Sequence, residues 1–381
     1  MEKVRVRINV MIKQGAMSKV ENVTVDHFRV PLAIPLSDST HGEITQFGLV
    51  TVRLTDGQGR EGLGYTYTVN NIGAAAVAAL IEQDLAGLIL STSSDSIEVF
   101  WQEMWWHVHF VGRGGLAAFA MAAVDIALWD LRAKTADQPL WRMLGGGSRE
   151  VKAYAGGIDL DFTLDQLLAQ AEGFLAQGFR AIKMKVGRDL LEQDIDRVLA
   201  MRKFVGSDFP LMADANMRWT VDQAVKAATA LAPCGLYWLE EPVIPDDFIG
   251  HARVQSVGGV PVASGENLHS TYEFSQLIES GGVTYPEPDA ATVGGITPWL
   301  KIAELSQAHG LHITSHGIHD IHVHLLAAVT NADYLEVHGF GLERFIEEPL
   351  QLNNGLALAP DRPGHSVVLD FEALETHRHT T

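Results

Sequence analysis

Cysteine is almost missing from this 381-residue chain: Cys234 stands alone, so no disulfide can form within it, and a reducing cytoplasm is the expected setting. Positive charge is scarce as well. Lys and Arg number 28 against 47 Asp and Glu, a formal net charge of −19, which argues against nucleic acid or an anionic membrane surface as partner. The sequence shows no apolar run of transmembrane length and no secretory apolar segment near its start, so no membrane span is expected. Low-complexity tracts are missing too. Apolar residues nevertheless make up 47% of the chain, ample for a large core, and the length suggests a barrel plus a second domain. With so little positive charge overall, an anionic substrate has to find it locally, from a few lysines or a metal ion.

What the second half does contain is a series of six short segments: AIKMKVG, PLMADAN, LYWLEEP, PVASGEN, TYPEPDA and HITSHG. In most of them an apolar or β-branched run precedes a polar tip, the pattern of a buried parallel strand whose end meets solvent. The tips are Lys183 and Lys185, Asp214, Glu240, Glu266, Asp289 and His316. They recur at close to the roughly 30-residue interval of a (β/α)8 barrel of about 250 residues. All strands of such a barrel end on one face, so residues scattered through the sequence converge. The expected fold class is α/β: a (β/α)7–8 TIM-type barrel with an N-terminal α+β lid domain.

Residues 1–147 read as the lid. The first twenty mix basic and apolar residues without a period and are set aside as an extra arm. VDHFRVPL and LVTVRL read as antiparallel strands around the polar loop LSDSTHGEITQ. Three helical patterns follow: AAAVAALIEQDLAGLI, SDSIEVFWQEMWW with Ser94 as candidate cap, and LAAFAMAAVDIALWDLRAK. The glycines of PLWRMLGGG mark a boundary near Gly147, residues 148–340 form the barrel, and residues 341–381, rich in Pro, Asn and Gly, return to the lid.

Asp214, Glu240 and Glu266 sit on three successive expected strands. A lone acid at a strand end caps a helix or pairs with an arginine; three in register offer a hard oxygen site suited to Mg²⁺, with Mn²⁺ as a substitute. Glu241, its side chain on the opposite strand face from Glu240, is expected behind the ligands. Lys183 and Lys185 share one strand face, and two ammonium groups that close disfavour each other's charge, so one can act as a base near neutral pH. Asp289 and His316 form a candidate dyad in which the carboxylate fixes the imidazole tautomer, against the simpler reading of a histidine bonded to a backbone carbonyl. His319, His322 and His324 in GIHDIHVHLL admit a zinc cluster, but helix histidines with structural or solvated roles are the favoured reading. Glu336, in YLEVHG, completes the ring and is expected to be protonated so that it can donate to a substrate carboxylate.

The ordered set K-M-K, D-A-N, E-E-P, G-E-N, P-D-A-A-T-V-G-G and S-H-G resembles the mandelate racemase branch of the enolase superfamily, from about Val23 onward. That resemblance implies Mg²⁺ on Asp214, Glu240 and Glu266, with Lys185 and His316 as acid/base groups on opposite faces of the substrate. It also implies that Lys183 tunes Lys185, Asp289 orients His316, Glu336 polarises the substrate carboxylate and Asn216 contacts substrate. Family sites of this kind stabilise an enediolate formed by loss of a proton α to a carboxylate. Reprotonation from the other face then gives racemisation, and loss of a β-hydroxyl gives dehydration.

The lid loop Ser37–His41 is polar and suits a polyhydroxylated substrate, with His41 as a binding residue. FVGRGG and PLAIPLSDS resemble the lids of family acid-sugar dehydratases, and Arg113 is a candidate for a distal carboxylate or, equally, for capping a helix. Dehydration of an aldarate or aldonate is the favoured activity, racemisation or epimerisation of a 2-hydroxy acid the alternative, and a non-catalytic acid-binding member the third reading. A binuclear hydrolase is disfavoured because VKAYAGGIDL lacks the H-x-H it needs. The expected partner is a small-molecule carboxylate, with no nucleic acid and no membrane, and the chain is expected to form a homo-oligomer.

Overall fold

The structure, a computed structural model, describes residues 19–91, 96–338 and 341–379. The arm expected in the first twenty residues lies almost wholly outside them, as does Ser94. Three long strands open the chain: β1 (Val20–Asp38), β2 (Gly42–Asp56) and β3 (Glu61–Val69), paired antiparallel in the order β1-β2-β3. One face carries Phe28, Val30 and Leu49, and the other Val52, all fully buried. Helices α1 (Ala74–Leu80), α2 (Ala86–Ser91), α3 (Ile97–Val108), α4 (Leu116–Thr135) and the short α5 (Leu140–Met143) follow. Ser96, not Ser94, caps α3 by accepting the Val99 N–H. Helix α4 is built largely of Ala, Val, Ile and Leu and is buried nearly all round, as a core helix must be. It lies close against β3 because Gly64 has no side chain; a Cβ there would run into the Ala123 carbonyl and the Ala127 N–H.

One expectation needs correcting. The helical stretch Ala74–Ser91 is 18 residues long and apolar enough, by length and composition, to cross a membrane. The run is interrupted by Glu82 and Asp84, which hid it in the sequence. Here it packs on the lid sheet and on α4.

The barrel strands are β4 (Glu150–Gly156), β5 (Ile182–Lys185), β6 (Leu211–Asp214), β7 (Leu239–Glu240), β8 (Val262–Ser264), β9 (Tyr285–Pro286) and β10 (Tyr334–Val337). Helices α6 (Leu164–Ala176), α7 (Leu191–Val205), α8 (Val221–Leu231), α9 (Phe248–Val257), α10 (Thr271–Glu279), α11 (Ile296–Ala308) and α12 (His319–Ala328) alternate with them. Between β9 and β10 the seventh strand position is a short bridge, Ile313 to Ala332, tied to β9 by the Thr314 N–H to the Pro286 carbonyl. Strand β10 pairs in parallel with β4 and closes the ring, a (β/α)7β barrel.

Pairing is in register where it matters: Lys185 opposes Asp214, and Asp214 opposes Glu240, so three tips stand at one height. The other end of the barrel is plugged by Tyr154, Tyr237, Trp238, Tyr285 and Tyr334, with ring centroids 5.1–6.5 Å apart. After the barrel, the hairpin of β11 (Gln351–Asn353) and β12 (Leu356–Leu358) pairs with β4, and α13 (Phe371–Glu375) leads the chain back to β1. There Arg378 bridges to Phe28 and pairs with Asp26 at 2.6 Å.

Candidate active site

The strand tips meet at the mouth of the barrel, under the lid. One oxygen from each of Asp214, Glu240 and Glu266 lies within 4.8 Å of the others. Cations line the same space. Lys183 Nζ lies 2.5 Å from Glu240 Oε1 and 2.6 Å from Glu336 Oε1, and Lys185 Nζ lies 2.5 Å from Asp214 Oδ2. On the other side His316 Nε2 is 3.0 Å from Glu266 Oε2, while its Nδ1 is 3.3 Å from Asp289 Oδ2.

Charge is badly balanced here. Asp214, Glu240, Glu241, Glu287 and Glu336 are all buried, with Glu266 beside them, against Lys183, Lys185 and His316. Burial and the nearby Asp214 push the Glu240 carboxyl up to about 8. Burial, then Glu266 and Asp214, push Glu241 well above its ordinary range, and its Oε1 has no hydrogen-bond partner among the described residues. Buried oxygens crowded together and short of positive charge fit a hard divalent cation, which Asp214, Glu240 and Glu266 could hold.

Burial would discharge Lys185, and Lys183 acts in the same direction, as expected for a K-x-K pair, but Asp214, with Glu266 and Asp38, raises it. A cation drawing on Asp214 and Glu240 would take up the negative charge that keeps both lysines protonated. His316 is likewise disfavoured as imidazolium by burial, yet Glu266, Glu336 and Asp289 raise it to about 10.

Two expectations about these residues do not hold. Glu336 is not a neutral donor: burial would raise it, but Lys183, His338 and His316 hold it well below the usual carboxylate range, and it accepts the Gly317 N–H. Arg113 is exposed on the loop before α4, among Trp101, Trp105 and Lys301, outside the cavity that contains the tips. It caps no helix either; Gly115 stands at the N-cap of α4.

That cavity, of about 270 Å³, is roofed by Asp38, His41, Ile44, Tyr67, Ile72 and Phe119 of the lid. Asn216 lines its floor, held by its N–H to Asp214 Oδ1, and its own Oδ1 has no hydrogen-bond partner among the described residues. The polar loop contributes less than its composition suggests. Ser37 Oγ accepts the Asp161 N–H, and Ser39 and Thr40 donate to the carbonyls of Ala215 and Asn216, which fastens the lid to the barrel. Only Asp38 and His41, 2.8 Å apart, are left to face substrate.

His322 and His324 are structural. The Ala290 N–H reaches His322 Nε2, and His324 bridges the Trp141 N–H and the His365 carbonyl. Burial lowers them to about 4 and about 3, so both stay neutral.

Sequence reasoning missed Tyr67, His338, Glu287 and Trp238. Trp238 precedes Glu240 by two, which puts both on the barrel's inner face, and its indole N–H donates to Glu240 Oε2 at 2.9 Å. Such outer partners commonly matter 10–100-fold, so Trp238→Phe is expected to weaken divalent-cation binding by about 10-fold, measured by calorimetric titration. Unchanged affinity would leave the indole a packing group only.

Comparisons with known proteins agree along most of the chain. Residues 166–374 match the family Enolase C-terminal domain-like, and residues 20–145 match the Mandelate racemase / muconate lactonizing enzyme, N-terminal domain. A 3,6-anhydro-α-L-galactonate cycloisomerase of Streptomyces coelicolor is 53% identical over 93% of this chain and 98% of its own. An L-talarate/galactarate dehydratase of Salmonella typhimurium is 33% identical over 93% of this chain and 90% of its own. A crystal structure of a racemase from Streptomyces coelicolor with bound magnesium superposes with a TM-score of 0.92 at 51% identity, covering 94% of this chain and 100% of that one. This chain is an enzyme of the mandelate racemase/muconate lactonizing enzyme family, within the enolase superfamily.

Proposed function

We propose that this enzyme, with Mg²⁺ as cofactor, removes the proton α to the carboxylate of an acid sugar and expels the oxygen at the β-carbon. The observation that carries this reading is the pairing of Lys185 with the Asp289-held His316 across one cavity, beside three clustered carboxylates. Lys185 takes the α-proton from one face, and His316, as imidazolium, protonates the departing oxygen. The C–H and C–O bonds break, an enol forms between the two carbons, and it rearranges to a 2-keto-3-deoxy acid. Asp214, Glu240 and Glu266 hold Mg²⁺, which supplies positive charge where the substrate carboxylate gains electron density. Lys183 keeps Glu240 and Glu336 in place, and Asn216 and His41 contact substrate. The enzyme works in the cytoplasm as a homo-oligomer.

Of the possible leaving oxygens, we favour the ring ether of a 3,6-anhydro-aldonate, so that the product is an isomer of the substrate. The 53% identical cycloisomerase supports this. So does the cavity wall: among the described residues lining it there is no arginine to meet a second carboxylate, while Ile44, Val69, Ile72 and Phe119 suit the C–H faces of a ring. Loss of water from an open-chain acid is the second reading, favoured by the 33% identical dehydratase and using the same residues.

A panel of 3,6-anhydro-L-galactonate, aldonates, aldarates and mandelate with Mg²⁺ decides the matter. A keto acid of unchanged mass, trapped with semicarbazide, is the expected product; one lighter by a water would make the enzyme a dehydratase. Inversion of mandelate with no keto acid from any sugar acid would overturn β-elimination in favour of racemisation.

A further inference from the structure

Lid strand β3 does more than cover the site. The Tyr67 hydroxyl donates to Asp289 Oδ2 at 2.7 Å, the same oxygen that faces His316 Nδ1, and lies 3.4 Å from that nitrogen. Its neighbour Thr66 donates to the Ala291 carbonyl at 2.7 Å. Asp289 Oδ1 accepts the Ala291 N–H at 2.8 Å, so β3 is fastened to both ends of a three-residue turn whose first member is the dyad carboxylate.

The backbone beside this contact is shaped to admit it. Gly317, next to His316, has φ 78°, and a Cβ there would stand 2.6 Å from the Tyr67 oxygen and clash with Asp289 Oδ2. Any other residue would have to displace the hydroxyl or the carboxylate. Tyr67 is buried and also lines the substrate cavity.

We infer that Tyr67 is a positioning residue, supplied by the lid, for the Asp289–His316 pair. Its hydroxyl occupies one side of Asp289 Oδ2 and thereby fixes where that oxygen presents its remaining lone pair to His316 Nδ1. The ring is then set with Nε2 toward the cavity. The catalytic pair belongs to the barrel, but its alignment comes from the lid. The inference rests on Asp289 and His316 acting as the acid/base pair of the proposed reaction.

The test compares Tyr67→Phe, which keeps the ring and removes the hydroxyl, with Thr66→Val, which removes the other lid bond, in the full chain loaded with Mg²⁺. The readouts are turnover and the His316 Nδ1–H resonance in protein labelled with ¹⁵N-histidine, assigned by its loss in His316→Asn. Tyr67→Phe is expected to lower kcat about 10–100-fold with KM little changed and to shift that resonance. Thr66→Val is expected to leave both near wild type. An unmoved resonance in Tyr67→Phe, or the same shift in both variants, would overturn the inference, since either makes Tyr67 one packing group among several. A shift confined to Tyr67→Phe, in a protein that converts none of the acids tested, upholds the hydrogen bond and counts against the proposed reaction instead.

Discussion

Stripping divalent cations with EDTA is expected to abolish turnover, and Mg²⁺ or Mn²⁺ to restore it. The oxygens of Asp214, Glu240 and Glu266 converge within 4.8 Å amid more acids than nearby cations can balance. A carbon acid α to a carboxylate is very weak, and positive charge at its oxygens is worth several kcal/mol, so a loss of about 10³-fold or more is expected. Glu240→Gln should weaken cation binding while the protein stays folded, because the large apolar core that holds strands and helices together is left untouched. The amide oxygen can still accept from Trp238, but the carboxylate charge is gone, and Lys183 is left with Glu336 and the more distant Asp214. Binding is read by calorimetry and folding by circular dichroism. Full activity in cation-free protein would end this reading.

Replacing either base should be nearly as damaging. Lys185→Ala and His316→Asn are each expected to lower turnover about 10²–10⁴-fold, the range for loss of a positioned proton-transfer group. The two losses should differ in kind. Lys185 is held by Asp214, and His316 by Glu266 and Asp289, so removing one leaves the other anchored. In deuterium oxide each variant should still exchange the α-proton of the substrate isomer its surviving base can reach, which NMR reports independently of turnover. Wild-type turnover in both variants would refute the assignment.

The barrel was legible because its chemistry sits at strand ends. A run such as LMAD or IKMK is buried on every residue, so the last polar letter of each marks the catalytic face. The sequence gives identities and periods, however, and not the partner each side chain will find. Glu336 looked like a neutral donor because nothing in YLEVHG announces Lys183, 153 positions earlier in the chain and 2.6 Å away. Ser37, Ser39 and Thr40 read as substrate hydroxyl partners because a polar loop looks the same whether it faces a ligand or the carbonyls of Ala215 and Asn216. Arg113 was misplaced for a related reason: the direction in which a glycine-rich loop sends its side chain is set by backbone angles that composition does not fix. Tyr67 was hidden inside GYTYTV, where it is one aromatic in an ordinary strand. Only alternation could have flagged Trp238, two residues before Glu240 on the same face.

The contact between Arg378 and Asp26 joins positions 352 residues apart, with the whole barrel between them. A ribosome delivers β1 to β3 and α4 first, then every barrel strand, and only afterwards the stretch that meets β1. Until that stretch emerges, the Arg29 N–H and the His27 carbonyl lack the His377 carbonyl and His379 N–H that pair with them in the finished fold. The nascent chain therefore carries all the barrel strands beside a lid still missing one edge. Proteolytic loss of residues 364–379 should be felt at a cavity that none of those residues touches.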